Sequence, residues 1–271
     1  MPSPHSVSQQ DTETTDSLIA RGEILFKSGR HEEAIELFVQ AVDIDPTIDF
    51  PWLEKGAILS GLGRHTIAIS CYDRHLDIHP RDIEAWKLKA ENCMVAGLAN
   101  EALTCCDRAL QLDSGDISVL LYKGYLLADS FQEYGDAIEC YGAALAVSPN
   151  DAKIWRLQGA AYHNLDQFGK AITCYNKSLR INRKIALAWK DKGDSLNCLA
   201  LGKKALICYK KAIKLEPENA SFWYITALTQ EDLGRHKEAI HAYQQVIKFA
   251  IPQDVDLANQ AQIALDNLNS N

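Results

Sequence analysis

The sequence predicts an all-α fold, a solenoid of stacked antiparallel helix pairs, and three observations carry that expectation. A glycine or alanine recurs as Gly22, Gly56, Ala90, Gly124, Gly159, Gly193 and Ala227, in five steps of 34 residues and one of 35. Four positions before each stands a large apolar residue: Leu18, Trp52, Trp86, Leu120, Trp155, Trp189 and Trp223. All five tryptophans of the chain therefore share one column. An alanine column follows (Ala34, Ala68, Ala102, Ala137, Ala171, Ala205, Ala239), and four residues further on come Phe38, Tyr72, Cys106, Tyr141, Tyr175, Tyr209 and Tyr243. Self-similarity at such a period marks a repeat array, in which a unit buries its apolar face only by stacking on its neighbours.

Each element has its own signal. Residues 1–14 are polar, with one valine, and are expected to be a disordered tail; they lack the apolar stretch of a signal peptide. Seven units follow at 15–48, 49–82, 83–116, 117–151, 152–185, 186–219 and 220–253. In each, the first helix carries the small residue, which permits close approach of its partner. The second helix is amphipathic, as in Ala205, Cys208, Tyr209, Ala212 and Ile213. Gly29, Gly63, Gly97 and Gly234 mark the turn between the two, where a left-handed residue ends the first helix. Pro46, Pro80, Pro149, Pro217 and Pro252 end the second helix. The fourth unit carries one extra residue, near Phe131–Gly135. Residues 254–271 supply a last helix and tail, with Val255, Leu257, Ala261, Leu265 and Leu268 spaced to cap the open end. No sustained period-two alternation signals strands, and no run of 18 apolar residues signals a membrane span.

Trp-x-x-x-Gly, Ala-x-x-x-Tyr and a closing proline at 34 residues resemble the tetratricopeptide repeat. Seven units in register cover 239 of 271 residues. The resemblance implies a right-handed superhelix whose inner, concave surface is lined by the second, fifth, ninth, twelfth and thirteenth positions of each unit. On this chain those positions place Phe50, Leu53, Lys87, Glu91, Met94, Leu121, Tyr125, Arg156, His163, Asn164, Lys190, Asp194, Asn197 and Tyr224 on the expected partner-binding face. A chaperone-adaptor carboxylate clamp is not expected: no ninth or sixth position is asparagine, and Glu91 and Asp194 would repel a carboxylate.

Chemistry of other kinds has little footing. Five of the eight cysteines recur in register (Cys71, Cys105, Cys140, Cys174, Cys208). Equivalent helices about 8–10 Å apart lie beyond the roughly 7 Å Cα separation a disulfide tolerates. Free cysteines in this number point to a reducing compartment, the cytoplasm. His31, His65 and His236 share one repeat position and read as packing residues. His75 and His79 are spaced like metal ligands, but no third ligand is near in sequence. No nucleophile elbow, phosphate loop or dinucleotide fingerprint is present, so neither catalysis nor a cofactor is expected.

Charge sharpens the functional reading. The chain totals −8, yet residues 152–219 hold 14 Lys or Arg against 5 Asp or Glu. The expected function is a non-catalytic scaffold that binds a peptide or protein segment in its groove, an acidic one at the fifth and sixth units. Head-to-tail self-association, an acidic first unit meeting that basic belt, is a further option. A regulatory or assembly subunit of an enzyme complex stays open. A helical-repeat nucleic-acid binder is disfavoured by the acidic total, and no membrane partner is expected.

Overall fold

A computed structural model describes residues 14–45, 51–251 and 254–270; these form fifteen α-helices and no strand. Phe50, Pro46, Pro252 and residues 1–13 lie outside the described residues. In chain order the helices are α1 (Thr15–Lys27), α2 (His31–Ile44), α3 (Trp52–Gly61), α4 (His65–Ile78), α5 (Ile83–Val95), α6 (Ala99–Leu112), α7 (Ile117–Asp129) and α8 (Tyr134–Val147). Then come α9 (Ala152–Asn164), α10 (Phe168–Ile181), α11 (Ala186–Cys198), α12 (Gly202–Leu215), α13 (Ala220–Asp232), α14 (His236–Phe249) and α15 (Val255–Ser270). Helix packing divides the chain into two units, one ending at Leu112 and one beginning at Asp113.

The first unit stacks the hairpins α1–α2, α3–α4 and α5–α6, with α4 and α3 both resting on α5. The second stacks α7–α8, α9–α10, α11–α12 and α13–α14, and ends in α15. Within it α8 packs on α9, α10 on α11, α12 on α13 and α14 on α15. The first helices of successive repeats also meet, α9 with α11, and α13 with α15. Each unit is thus an α-solenoid, as the period predicts.

The repeat columns explain the packing. The column of Ala34, Ala68, Ala102, Ala137, Ala171, Ala205 and Ala239 is fully buried. The aromatic column fills the cleft that the small residues open. A Cβ on Gly124 would stand 2.6 Å from the Tyr141 ring, and one on Gly159 would stand 2.7 Å from that of Tyr175. Close approach of backbone to ring is what those glycines supply. In the third repeat both members change together, and Ala90 faces a repeat whose aromatic slot holds Cys106.

Caps and turns set the ends. The side chains of Asp82, Asp116 and Asp151 accept backbone N–H bonds at the starts of α5, α7 and α9; a cap of this kind contributes about 1 kcal/mol. Gly29, Gly63, Gly97 and Gly234 take φ of 83°, 74°, 77° and 69° as expected. The other three hairpins make the same turn without glycine, through Gln132, Asp166 and Ala200 at φ 58°, 56° and 59°. The extra residue of the fourth repeat falls within this turn, displacing its left-handed position to Gln132.

The tryptophan column has a second task. The indole N–H of Trp86 donates to the Pro80 carbonyl at 3.0 Å, that of Trp155 to Pro149 at 2.9 Å, that of Trp189 to Arg183 at 3.0 Å and that of Trp223 to Pro217 at 2.8 Å. Each ring clips the entry of its own helix to the end of the preceding one. At the far end, Ala261 and Leu265 of α15 are buried against Ala227, Ala239, Tyr243 and Val246, with Leu257 and Leu268 beside them. The last helix therefore covers the apolar edge of the seventh repeat.

Candidate functional site

Successive first helices present their side chains to a trough in the second unit. Part of it, a cavity of about 260 Å³, is lined by Arg156, Ala160, His163 and Asn164 of α9, Lys190, Asp191 and Asp194 of α11, and Tyr175 of α10. His163 and Asp194 also line the adjoining stretch, about 270 Å³, with Asn197, Cys198, Tyr209, Ile225, Leu228 and Thr229. Six residues expected from the sequence therefore meet in one place: Arg156, His163, Asn164, Lys190, Asp194 and Asn197.

The cations there are paired with acids of the same trough. The guanidinium Nη1 of Arg156 lies 2.9 Å from Asp191 Oδ2. Lys190 Nζ lies 2.9 Å from Asp194 Oδ2 and 3.6 Å from Asp191 Oδ1. Burial works against the charge on Lys190, yet Asp194 and Asp191 hold its pKa above the ordinary 10.5. Lys203, Lys204, Lys210, Lys211 and Lys214 of α12 are all exposed.

Hydrogen bonds order the rest of the trough. His163 Nδ1 lies 2.8 Å from the Ser195 hydroxyl, which in turn donates to the Asp191 carbonyl at 3.2 Å. The Tyr209 hydroxyl donates to Asp194 Oδ1 at 3.0 Å. Burial first, then the neighbouring carboxylates, push the hydroxyl pKa of Tyr175 and Tyr209 far up, so both stay neutral donors. Asp191, Ser195 and the two tyrosine hydroxyls were not among the expected site residues. The available signal was Lys190-Asp191 followed by Asp194, a cation flanked by acids one and four residues on.

The remaining expected residues sit apart from this cluster. Tyr125 is exposed and Leu121 half-buried on α7. Tyr224 stacks edge-on against Tyr243 and donates its hydroxyl to Gln260 of α15 at 2.9 Å, which ties it to the terminal helix. In the first unit Leu53, Lys87 and Met94 are half-buried and Glu91 is exposed; Lys87 Nζ lies 3.3 Å from Glu84. That unit also buries Lys55 between Glu23, at 2.6 Å, and the rings of Phe26 and Phe38.

Three other histidines make structural contacts. His31 is buried edge-on against Phe26, and His65 Nδ1 lies 2.8 Å from Asn92 Oδ1. His75 meets Asp82 at 2.8 Å rather than a metal ligand set with His79. Among the described residues, no three His, Cys, Asp or Glu side chains are placed to hold a metal ion. None of the eight cysteines forms a disulfide, and Cys198 alone is exposed. No described helix is long and apolar enough to cross a membrane.

Comparison with known proteins agrees with this architecture. The tetratricopeptide repeat family matches at residues 15–48 and 152–185 and again, under a second description of the same repeat, at residues 203–255. The chain thus carries tetratricopeptide repeats. Among solved structures it is similar to a tetratricopeptide repeat protein from Parabacteroides merdae, with 15% identity, 95% of this chain and 99% of that one covered, and a TM-score of 0.59. It is also similar to MamA from Desulfovibrio magneticus, with 20% identity, coverage of 62% and 94%, and a TM-score of 0.58. A third is YrrB, described as a tetratricopeptide repeat protein with an unusual peptide-binding site, with 18% identity, coverage of 70% and 97%, and a TM-score of 0.55. At these identities the likeness is one of fold. No curated protein matches the chain significantly.

Proposed function

We propose that this protein is a non-catalytic scaffold that holds a peptide or protein segment of a partner along the first-helix face of its second unit. The observation that carries this is the trough itself. Arg156 and His163 are fixed by bonds to the next repeat and Lys190 and Asp194 by bonds within their own, while Asn164 and Leu228 stay exposed beside them. Ordered polar groups next to exposed apolar side chains suit an extended segment, which offers both main-chain amides and side chains. YrrB, a protein of similar fold, is described as having a peptide-binding site, which supports the same kind of occupant here.

An acidic segment is the occupant the charges favour. Its carboxylates would compete with Asp191 and Asp194 for Arg156 and Lys190, and the excess of cations in residues 152–219 would attract it from a distance. The test fills the trough without touching its ion pairs. Ala160→Trp with Asn164→Trp, which adds bulk and no charge, is compared with the natural chain in affinity capture from the native host, read by mass spectrometry. Loss of captured protein with unchanged helicity and melting is the expected result. Capture that survives the filled trough refutes the reading.

A further inference from the structure

A second cavity shares no lining residue with the trough. It lies where α10, α11 and α12 meet, has a volume of about 370 Å³, and is lined by Asn176, Leu179, Arg180, Arg183, Trp189, Lys192 and Lys211. That volume falls within the roughly 300–1,000 Å³ of ordinary ligand clefts. Four of its lining residues are cations and none is an acid. In contrast to Arg156 and Lys190, none of the four has a carboxylate within ion-pair distance among the described residues.

The combination of four cations departs from the repeat. Arg183 occupies the position that holds Pro80, Pro149 and Pro217 in other units. One repeat earlier, Arg180, Arg183 and Lys192 are replaced by Ala146, Pro149 and Gln158. One repeat later, Arg183, Lys192 and Lys211 are replaced by Pro217, Thr226 and Gln245. The same crevice one repeat on, whose lining includes Lys210, Ile213, Trp223, Lys237, Glu238 and His241, is mainly apolar and sets two lysines beside an acid. The stacking that makes the crevice is common to the repeats; the four cations together are not, since Lys177 alone remains one repeat earlier and Lys214 alone one repeat later. The site is also held in shape, because the Trp189 indole donates to the Arg183 carbonyl at 3.0 Å and Lys192 Nζ rests 5.6 Å from the Trp189 ring centre.

We propose that this crevice is an anion site for a phosphoryl group, carried either by inorganic phosphate or by a phosphorylated side chain of a partner protein. Guanidinium groups bind phosphoryl oxygens in pairs, through parallel N–H bonds. Arg180 and Arg183 supply that geometry from two sides of a turn, while Lys192 and Lys211 add point charge from α11 and α12. A carboxylate carries half the charge of a phosphoryl dianion and matches four unpaired cations less well.

Calorimetric titration of the full chain with inorganic phosphate, and separately with a short phosphoserine peptide and its unphosphorylated form, tests the site. The decisive variant is Arg180→Gln with Arg183→Pro. Asn182 already has φ −137° and ψ 105°, a conformation that tolerates a following proline, and Arg183→Gln serves if that variant melts early. Binding of at least one phosphate probe is expected, weakened about tenfold or more in the variant. Lys203→Gln with Lys204→Gln removes equal charge outside the crevice and should leave binding within about twofold of the natural chain. Tighter binding of the phosphopeptide than of inorganic phosphate identifies a protein partner as the source; the reverse identifies a small anion. Absence of binding by both probes, or equal weakening by both pairs of substitutions, overturns the proposal. Partner capture through the trough is read with other variants, so either idea can fail alone.

Discussion

Arg156 and Asp191 form a contact 2.9 Å long between residues 35 positions apart, one more than the repeat period. The pair joins the first helices of two neighbouring repeats, and both side chains are largely buried, at 25% and 14% exposure. Removing one member leaves the other charge poorly solvated. Arg156→Ala and Asp191→Ala should each destabilise the chain, and the double variant should lose less than the two combined. A coupling of about 1 kcal/mol in a urea double-mutant cycle is expected. Additive losses would show that the bond contributes nothing.

Ala200 holds a left-handed turn that glycine makes in four other hairpins. A non-glycine residue there is strained by roughly 1 kcal/mol. Ala200→Gly should therefore stabilise the chain by about 0.5–1 kcal/mol despite glycine's greater freedom when unfolded, and Gly97→Ala should cost a similar amount. Urea midpoints measure both; the strain argument fails if Ala200→Gly lowers its midpoint.

Leu265 is buried in the cluster that joins α15 to the seventh repeat. Leu265→Ala should cost about 2–4 kcal/mol and raise binding of a hydrophobic dye at temperatures below the main transition, because the edge beneath α15 opens first. Dye binding unchanged until global melting would mean that α15 does not protect that edge.

Asp82 is opposed by burial, but hydrogen bonds from His75 and the Ala85 amide together hold its carboxyl below the ordinary 3.8. A carboxylate with a depressed folded-state pKa stabilises the fold above its unfolded pKa, and that stability is lost as pH falls below about 4. Asp82→Asn should flatten this acid limb while leaving stability above pH 5 nearly pH-independent at this site. Thermal melts from pH 3 to pH 6 supply the comparison, and an unchanged acid limb would assign it to other carboxylates.

Cys198 is the exposed cysteine among eight, while burial drives Cys71 up to about 12 and also raises Cys174 and Cys208. Iodoacetamide on the native chain should label Cys198 first, with the buried thiols reacting only on unfolding. Labelling spread evenly over the regular cysteine column would contradict the packing described above.

The repeat period made the helix pairs, turns and core columns readable because each is a relation within one unit, copied at 34 residues. The site resisted because two of its bonds run between repeats at offsets other than the period: 35 for Arg156–Asp191 and 32 for His163–Ser195. A first-helix position identifies Lys190 as inward. It does not show that Asp191, beside it, turns to meet the preceding repeat. The tyrosine column was legible as packing, but the hydroxyl of Tyr209, which reaches Asp194 in the trough, belongs to the core and to the site at once.

The indole clip has a further meaning for how such a chain changes over time. At the joint between repeats, the carbonyl that Trp189 holds belongs to the backbone, and any residue offers one. The side chain at that joint is thereby released from structural duty. Proline is one solution and Arg183 another, with the same 3.0 Å bond intact in both Trp86–Pro80 and Trp189–Arg183. A solenoid clipped in this way can renew its surface chemistry at each clipped joint without re-solving how its repeats are joined.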